Sequence, residues 1–157
     1  MGIFDVFRRE SKSDRDIAIE SLGDLDPSLG GSFAVYMQNM TRLNIMGTEA
    51  SQQYQLVKSQ GKTDQNRVME PFFRDTLQLV ESQRKIIEGM HAIAVKRKFR
   101  MAKDLKSAIA HTKRCEDVLR RILAASSDPA INRLQGVQVA LSHYRTMERS
   151  VLLPALQ

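Results

Sequence analysis

HAIAVKRKFRMAKDLKSAIAHTKRCEDVLRR (residues 91–121) decides the fold, because it contains neither glycine nor proline and its apolar residues recur at helical spacing. Working outward in both directions, every seventh position is apolar: Phe73, Val80, Ile87, Ala94, Met101, Ala108, Cys115 and Ile122. That column predicts a coiled-coil-like seam. Between Asp64 and SSDP (126–129) no strong breaker stands, since Pro71 falls near a helix start and Gly89 only weakens helical propensity. The expectation is one continuous helix of roughly fifty-five residues, about 80 Å long at ~1.5 Å per residue. The companion column four residues on holds Leu77, Leu105 and Leu119 but is interrupted by Arg84, His91, Lys98 and Thr112. Packing against bundle partners is therefore expected rather than a strict dimeric zipper.

GDLDPSLGGS (23–32) is rich in turn-forming residues and reads as a loop. After it, Ser32 is the expected N-cap of a helix from Phe33 towards Gln60, with Phe33, Tyr36, Met40, Leu43, Gly47, Ala50, Tyr54 and Val57 on one face. GKTD (61–64) ends that helix and caps the next. A last helix is expected with Asp128 as N-cap and Pro129 at its first position, running through Leu134, Val137, Leu141 and Tyr144 to about Leu153, before Pro154. Hydrophobic content of 42% excludes a disordered chain, and the absence of Trp suits helices packed through Leu, Ile, Met and Ala. The fold class is all-α: an elongated helical bundle with one very long central helix. Residues 1–31 are read as an N-terminal amphipathic and acidic arm, and 32–157 as the bundle domain.

The net charge of +6 is unevenly placed, with −2 over residues 1–60, 0 over 61–95 and +8 over 96–157. The excess lies in Lys96, Arg97, Lys98, Arg100, Lys103, Lys106, Lys113, Arg114, Arg120 and Arg121, opposed only by Asp104, Glu116 and Asp117. Such a stripe on an extended helix suits a phosphate backbone. Base-specific reading is not expected, because Phe99 is the only aromatic in the stripe and no helix-turn-helix is evident. The competing reading is a solvated face, or one neutralised by the acidic positions 5–26.

Several chemistries are weighed and set aside. Glu88 and His91 have the E-x-x-H spacing of carboxylate-bridged metal bundles, but no second copy of the pair occurs on another helix. No metal and no cofactor is expected. His111 and Cys115 lie four apart, yet a cysteine on an apolar column reads as a small buried hydrophobe. No phosphate-binding glycine loop, Ser/His/Asp set or carboxylate dyad appears, so the chain reads as non-enzymatic. One cysteine excludes an internal disulfide, which places the chain in a reducing compartment, the cytoplasm.

The opening MGIFDVFRR (1–9) puts Ile3, Phe4 and Phe7 on one face of a short amphipathic segment. It resembles the start of the phage-shock-protein family of membrane-remodelling proteins. That resemblance implies that Ile3, Phe4 and Phe7 dock on a lipid surface or in a neighbour's groove. HAIAVK (91–96) resembles the histidine phosphotransfer bundles, but departs from them at Arg97, where that family has glycine.

Taken together, these features lead to the expectation of a structural or assembly protein that self-associates through helical packing. It would bind nucleic acid without sequence preference, or another polyanion, through its basic face. A membrane-surface scaffold and an adaptor for an acidic protein partner are the alternatives.

Overall fold

A computed structural model describes residues 14–59, 65–124 and 133–156 of the chain. Their regular structure is helical: α1 (Asp14–Leu25), α2 (Pro27–Ser59), α3 (Gln65–Lys96), α4 (Ala102–Ala124) and α5 (Arg133–Met147). A π-helical stretch (Glu148–Leu152) and a final turn, α6 (Leu153–Ala155), continue α5. Cross-helix pairs set the directions. Arg84 meets Glu116 and Arg120 meets Glu81, so α3 and α4 are antiparallel. Tyr36 meets Tyr144 and Ser51 meets Gln138, so α2 and α5 are too. The result is an up-down-up-down bundle of α2 to α5, with α1 laid on α2.

The expected single long helix is two helices. After Lys96 the chain turns, and Lys98 adopts the left-handed conformation at φ 57°. The Lys98 amide donates to the Val95 carbonyl at 3.2 Å and the Phe99 amide to the Ala94 carbonyl at 2.8 Å. These are the paired bonds of a Schellman ending, which satisfy carbonyls that the helix end would otherwise orphan. Phe99 then packs on the core while Arg97 stacks over its ring at 5.3 Å. The chain reverses and α4 returns along α3.

The seam survives, folded on itself. Phe73, Val80, Ile87, Ala94, Met101, Ala108 and Cys115 are all buried, and Ile122 is half-buried against the same core. Its two halves face each other within the chain, so the bundle partner of the seam is the seam itself. The α2 face is as read: Phe33, Tyr36, Met40, Leu43 and Ala50 are buried, and the Phe33 and Tyr36 rings stack at 5.7 Å.

The loop expected at 23–32 shrinks to one residue. Asp26 caps α2, its Oδ1 accepting the Ser28 amide at 2.8 Å and its carbonyl accepting those of Leu29 and Gly30. Pro27 takes the first helical position, where its missing N–H costs nothing. Ser32 therefore lies inside α2, and so does the boundary expected at 31/32. Gly30 is there for a packing reason. A Cβ on Gly30 would sit 2.8 Å from the Gly23 Cα, so only glycine lets α1 and α2 approach this closely. Leu22 and Leu29 are fully buried at this contact, each contributing about 2 kcal/mol.

At the C-terminus, Pro154 does not end the helix. The Leu153 amide bonds to the Glu148 carbonyl, five residues back, and this wider turn accommodates a proline that cannot donate to Ser150 and would crowd its carbonyl. The starts and caps expected at 61–64 and 126–129 lie outside the described residues.

Two substitutions test this packing by sign. Lys98→Gly relieves a left-handed lysine and should stabilise the chain by about 1 kcal/mol in urea denaturation, whereas glycine inside a continuous helix would cost about as much. Gly30→Ala should destabilise by about 1–3 kcal/mol, while the neighbouring Gly31→Ala, which meets no atom within 4 Å, should be neutral or stabilise by up to about 1 kcal/mol.

Candidate functional site

The turn between α3 and α4 gathers charge at one end of the bundle. Lys96 closes α3, Arg97, Lys98 and Arg100 occupy the turn, and Lys103 and Lys106 stand in the first turns of α4, all exposed. Arg97 is engaged, donating from Nη1 to Asp26 Oδ2 at 3.1 Å. Asp26 thus caps α2 with one oxygen and holds the α3–α4 turn with the other. Lys96, Lys98, Arg100, Lys103 and Lys106 have no carboxylate within ion-pairing distance among the described residues. The positive end of the α4 dipole adds to their field, partly offset by Asp104.

Further along α4 the basic residues separate into two sets. Lys113, Arg114 and Arg121 are exposed. Arg120 faces α3 and is taken up internally, reaching Glu81 at 3.1 Å, Asp117 at 3.4 Å and Glu116 at 3.5 Å. Glu116 is a buried carboxylate, and Arg84 also binds it at 2.7 Å while holding Glu88 at 2.8 Å. The hydrogen bonds to Glu116 and then Glu88 raise the Arg84 guanidinium above its ordinary value. A carboxylate this buried needs both cations, so Arg120 belongs to the fold more than to any ligand.

A polar layer crosses the middle of the bundle. The Tyr36 and Tyr144 hydroxyls are hydrogen-bonded at 2.8 Å, and the Tyr36 hydroxyl also lies 3.5 Å from Glu148 Oε2. Gln83 donates to the Tyr36 carbonyl at 2.8 Å and accepts from Asn39 at 3.1 Å. Burial above all raises both tyrosines well above their ordinary value. This layer fixes the register of α2, α3 and α5 and is sealed from solvent.

Between α4 and α5 lies an open groove of about 1110 Å³, floored by Cys115, Ala140, Tyr144 and Met147. Val118 and Val139 line it, 40% and 50% exposed. Among the described residues, Arg114, His111 and His143 are its only ionisable edge residues besides the floor thiol and phenol. Burial pushes the Cys115 thiol up to about 12, and its Sγ rests 3.8 Å from the Ala140 carbonyl, so His111 and Cys115 share a wall without forming a nucleophile and base.

Glu88 is paired with Arg84 rather than poised beside His91 for a metal, and among the described residues no three His, Cys, Asp or Glu side chains converge. No described helix is long and apolar enough to cross a membrane. Ile3, Phe4 and Phe7 lie outside the described residues. The sequence reading missed Asp26 as a tie between two turns, the buried pair of Glu116 and Arg84, and the groove. Val118 was the available signal for the last, an apolar residue on α4 off both seven-residue columns. Comparison of the chain with protein-family models, with curated proteins and with solved structures finds no match.

The buried thiol and phenols predict a sign for pH dependence. Well below pH 9 the Cys115 thiol is protonated in both folded and unfolded chains, and its contribution is fully present. Above that the unfolded chain ionises first, so stability falls as pH rises towards about 12, and both tyrosines act in the same direction. Denaturation midpoints measured across this range should decline. At pH 8 iodoacetamide should modify Cys115 about a thousandfold more slowly than an exposed thiol, since the reactive thiolate is that much rarer.

Proposed function

We propose that the chain is a non-enzymatic binding and assembly protein that holds a polyanion at the α3–α4 end of its bundle. The observation that carries this reading is the set of five exposed cations, Lys96, Lys98, Arg100, Lys103 and Lys106, without a carboxylate partner among the described residues and gathered by a tight turn beside a helix N-terminus. By contrast, Arg84, Arg97 and Arg120 are each paired with carboxylates of the chain.

Nucleic acid is the occupant we favour. Lysine-rich ends neutralise phosphates as point charges and release counterions, which yields affinity without sequence reading. The one nearby aromatic, Phe99, packs on the core and carries the Arg97 guanidinium on its ring, so it supports the turn instead of stacking on a base. The compact bundle changes the footprint expected from a rod: contact is confined to the α3–α4 end, and Lys113, Arg114 and Arg121, further down α4, lie outside it. Copies held side by side on one polyanion are the form of self-assembly we propose, in the reducing cytoplasm that a single buried cysteine suits.

Binding to a duplex oligonucleotide of arbitrary sequence should weaken with salt, with a log–log slope of about −4, as expected for roughly five phosphate contacts. Arg100→Glu with Lys103→Glu should lower affinity at least tenfold and flatten that slope, while Lys85→Glu, on exposed α3 away from the turn, should do neither. Affinity unchanged by the double substitution, measured by fluorescence anisotropy, would contradict the reading.

A further inference from the structure

The α4–α5 groove is the second surface that the fold leaves unexplained, and it differs in kind from the basic end. Its α4 wall runs from His111 to Ile122 and its α5 wall from Gln135 to Val151. At ~1.5 Å per residue these walls are about 17 and 24 Å long, the length of three to four helical turns. Val118 and Val139 stand half in water on opposite walls, and the floor beneath them is apolar. Gly136 closes one end without a side chain, with Ile122 Cδ1 only 3.0 Å from where a Cβ would stand.

Charge selects the occupant. Among the described residues no carboxylate lines the groove, whereas the Arg114 guanidinium does, with the His111 and His143 imidazoles beside it as hydrogen-bonding groups. The nearest acids are turned elsewhere: Glu148 is buried and bonded to Tyr36, and Glu116 and Asp117 bind Arg120. Lys113 and Arg121 extend the positive border along the exposed face of α4. A second copy fits poorly, because a two-fold pairing sets this face against itself, and the face offers the basic border of Arg114, Lys113 and Arg121 but, among its described lining residues, no carboxylate to meet it. Nucleic acid fits poorly as well, since valine walls offer its phosphates and base edges no hydrogen bonds.

We propose that this groove docks an acidic amphipathic helix of a partner protein, three to four turns long. Its apolar face lies on Val118, Val139 and Met147, and its flanking carboxylates meet Arg114 and the two histidines. The polyanion end and this groove then act independently, one holding a phosphate-rich ligand and the other a protein.

The test uses the full chain with labelled methyl groups and a synthetic fifteen-residue helical peptide carrying a leucine stripe flanked by glutamates. Saturable shifts of the Val118, Val139 and Val151 methyl signals are expected, with Kd raised at least tenfold by Val139→Glu. A scrambled peptide of equal composition and a lysine-flanked version should leave these signals unmoved. Arg100→Glu with Lys103→Glu should leave peptide binding intact, which separates this proposal from the polyanion reading. Unmoved methyl signals, equal binding of the scrambled peptide, or a wild-type dimer in light scattering that Val139→Glu dissociates would each overturn it.

Discussion

The bond from the Phe99 amide to the Ala94 carbonyl, closed across a left-handed Lys98, is the constraint on which the molecule depends. It turns one apolar column into the two facing halves of a hairpin. With the chain reversed, Ala94 and Met101 lie in one core, Arg84 reaches Glu116, and Arg120 reaches Glu81. Without the reversal, the carboxylate of Glu116 could not find Arg84, thirty-two positions earlier, and the seam would lie open to water. The same turn also determines where charge accumulates, because it bends a basic run of sequence into a cluster at one end.

A second tie keeps that end in place. Asp26 joins the start of α2 to the end of α3, through a cap on one side and Arg97 on the other. The polar layer of Tyr36, Gln83, Tyr144 and Glu148 then holds α2, α3 and α5 in register at mid-bundle, where apolar packing alone would tolerate a slip. Function is proposed to reside on what these interactions leave outside: the exposed cations of the turn and the exposed valines between α4 and α5.

Much of the core was legible from periodicity. Seven of the eight residues in the long column are buried, as are most of those read on α2, because helical spacing reports which face is covered whatever covers it. The break was not legible, for two physical reasons. The turn preserves the seven-residue phase, so Ala94 and Met101 remain core residues on either side of it. The left-handed position also holds lysine, which removes the glycine that usually marks such an ending. The converse error arose at 23–32, where Gly30 signals close helix contact with Gly23 and Asp26 with Pro27 makes a cap, although the composition resembles a loop. At the candidate site the cations were visible in sequence. Which of them are already paired was not, because Arg97 and Arg120 find their carboxylates only through the tertiary fold.

The most direct test of the account is a spin-label distance between cysteines placed at the exposed positions Lys85 and Asp117, with Cys115 replaced by alanine. The hairpin sets these positions on neighbouring antiparallel helices, and an interaxial spacing of about 10 Å plus the two label arms predicts a distribution centred below about 25 Å. A continuous helix would separate them by about 48 Å at ~1.5 Å per residue, and a distribution centred there would contradict the fold and, with it, the clustered basic end.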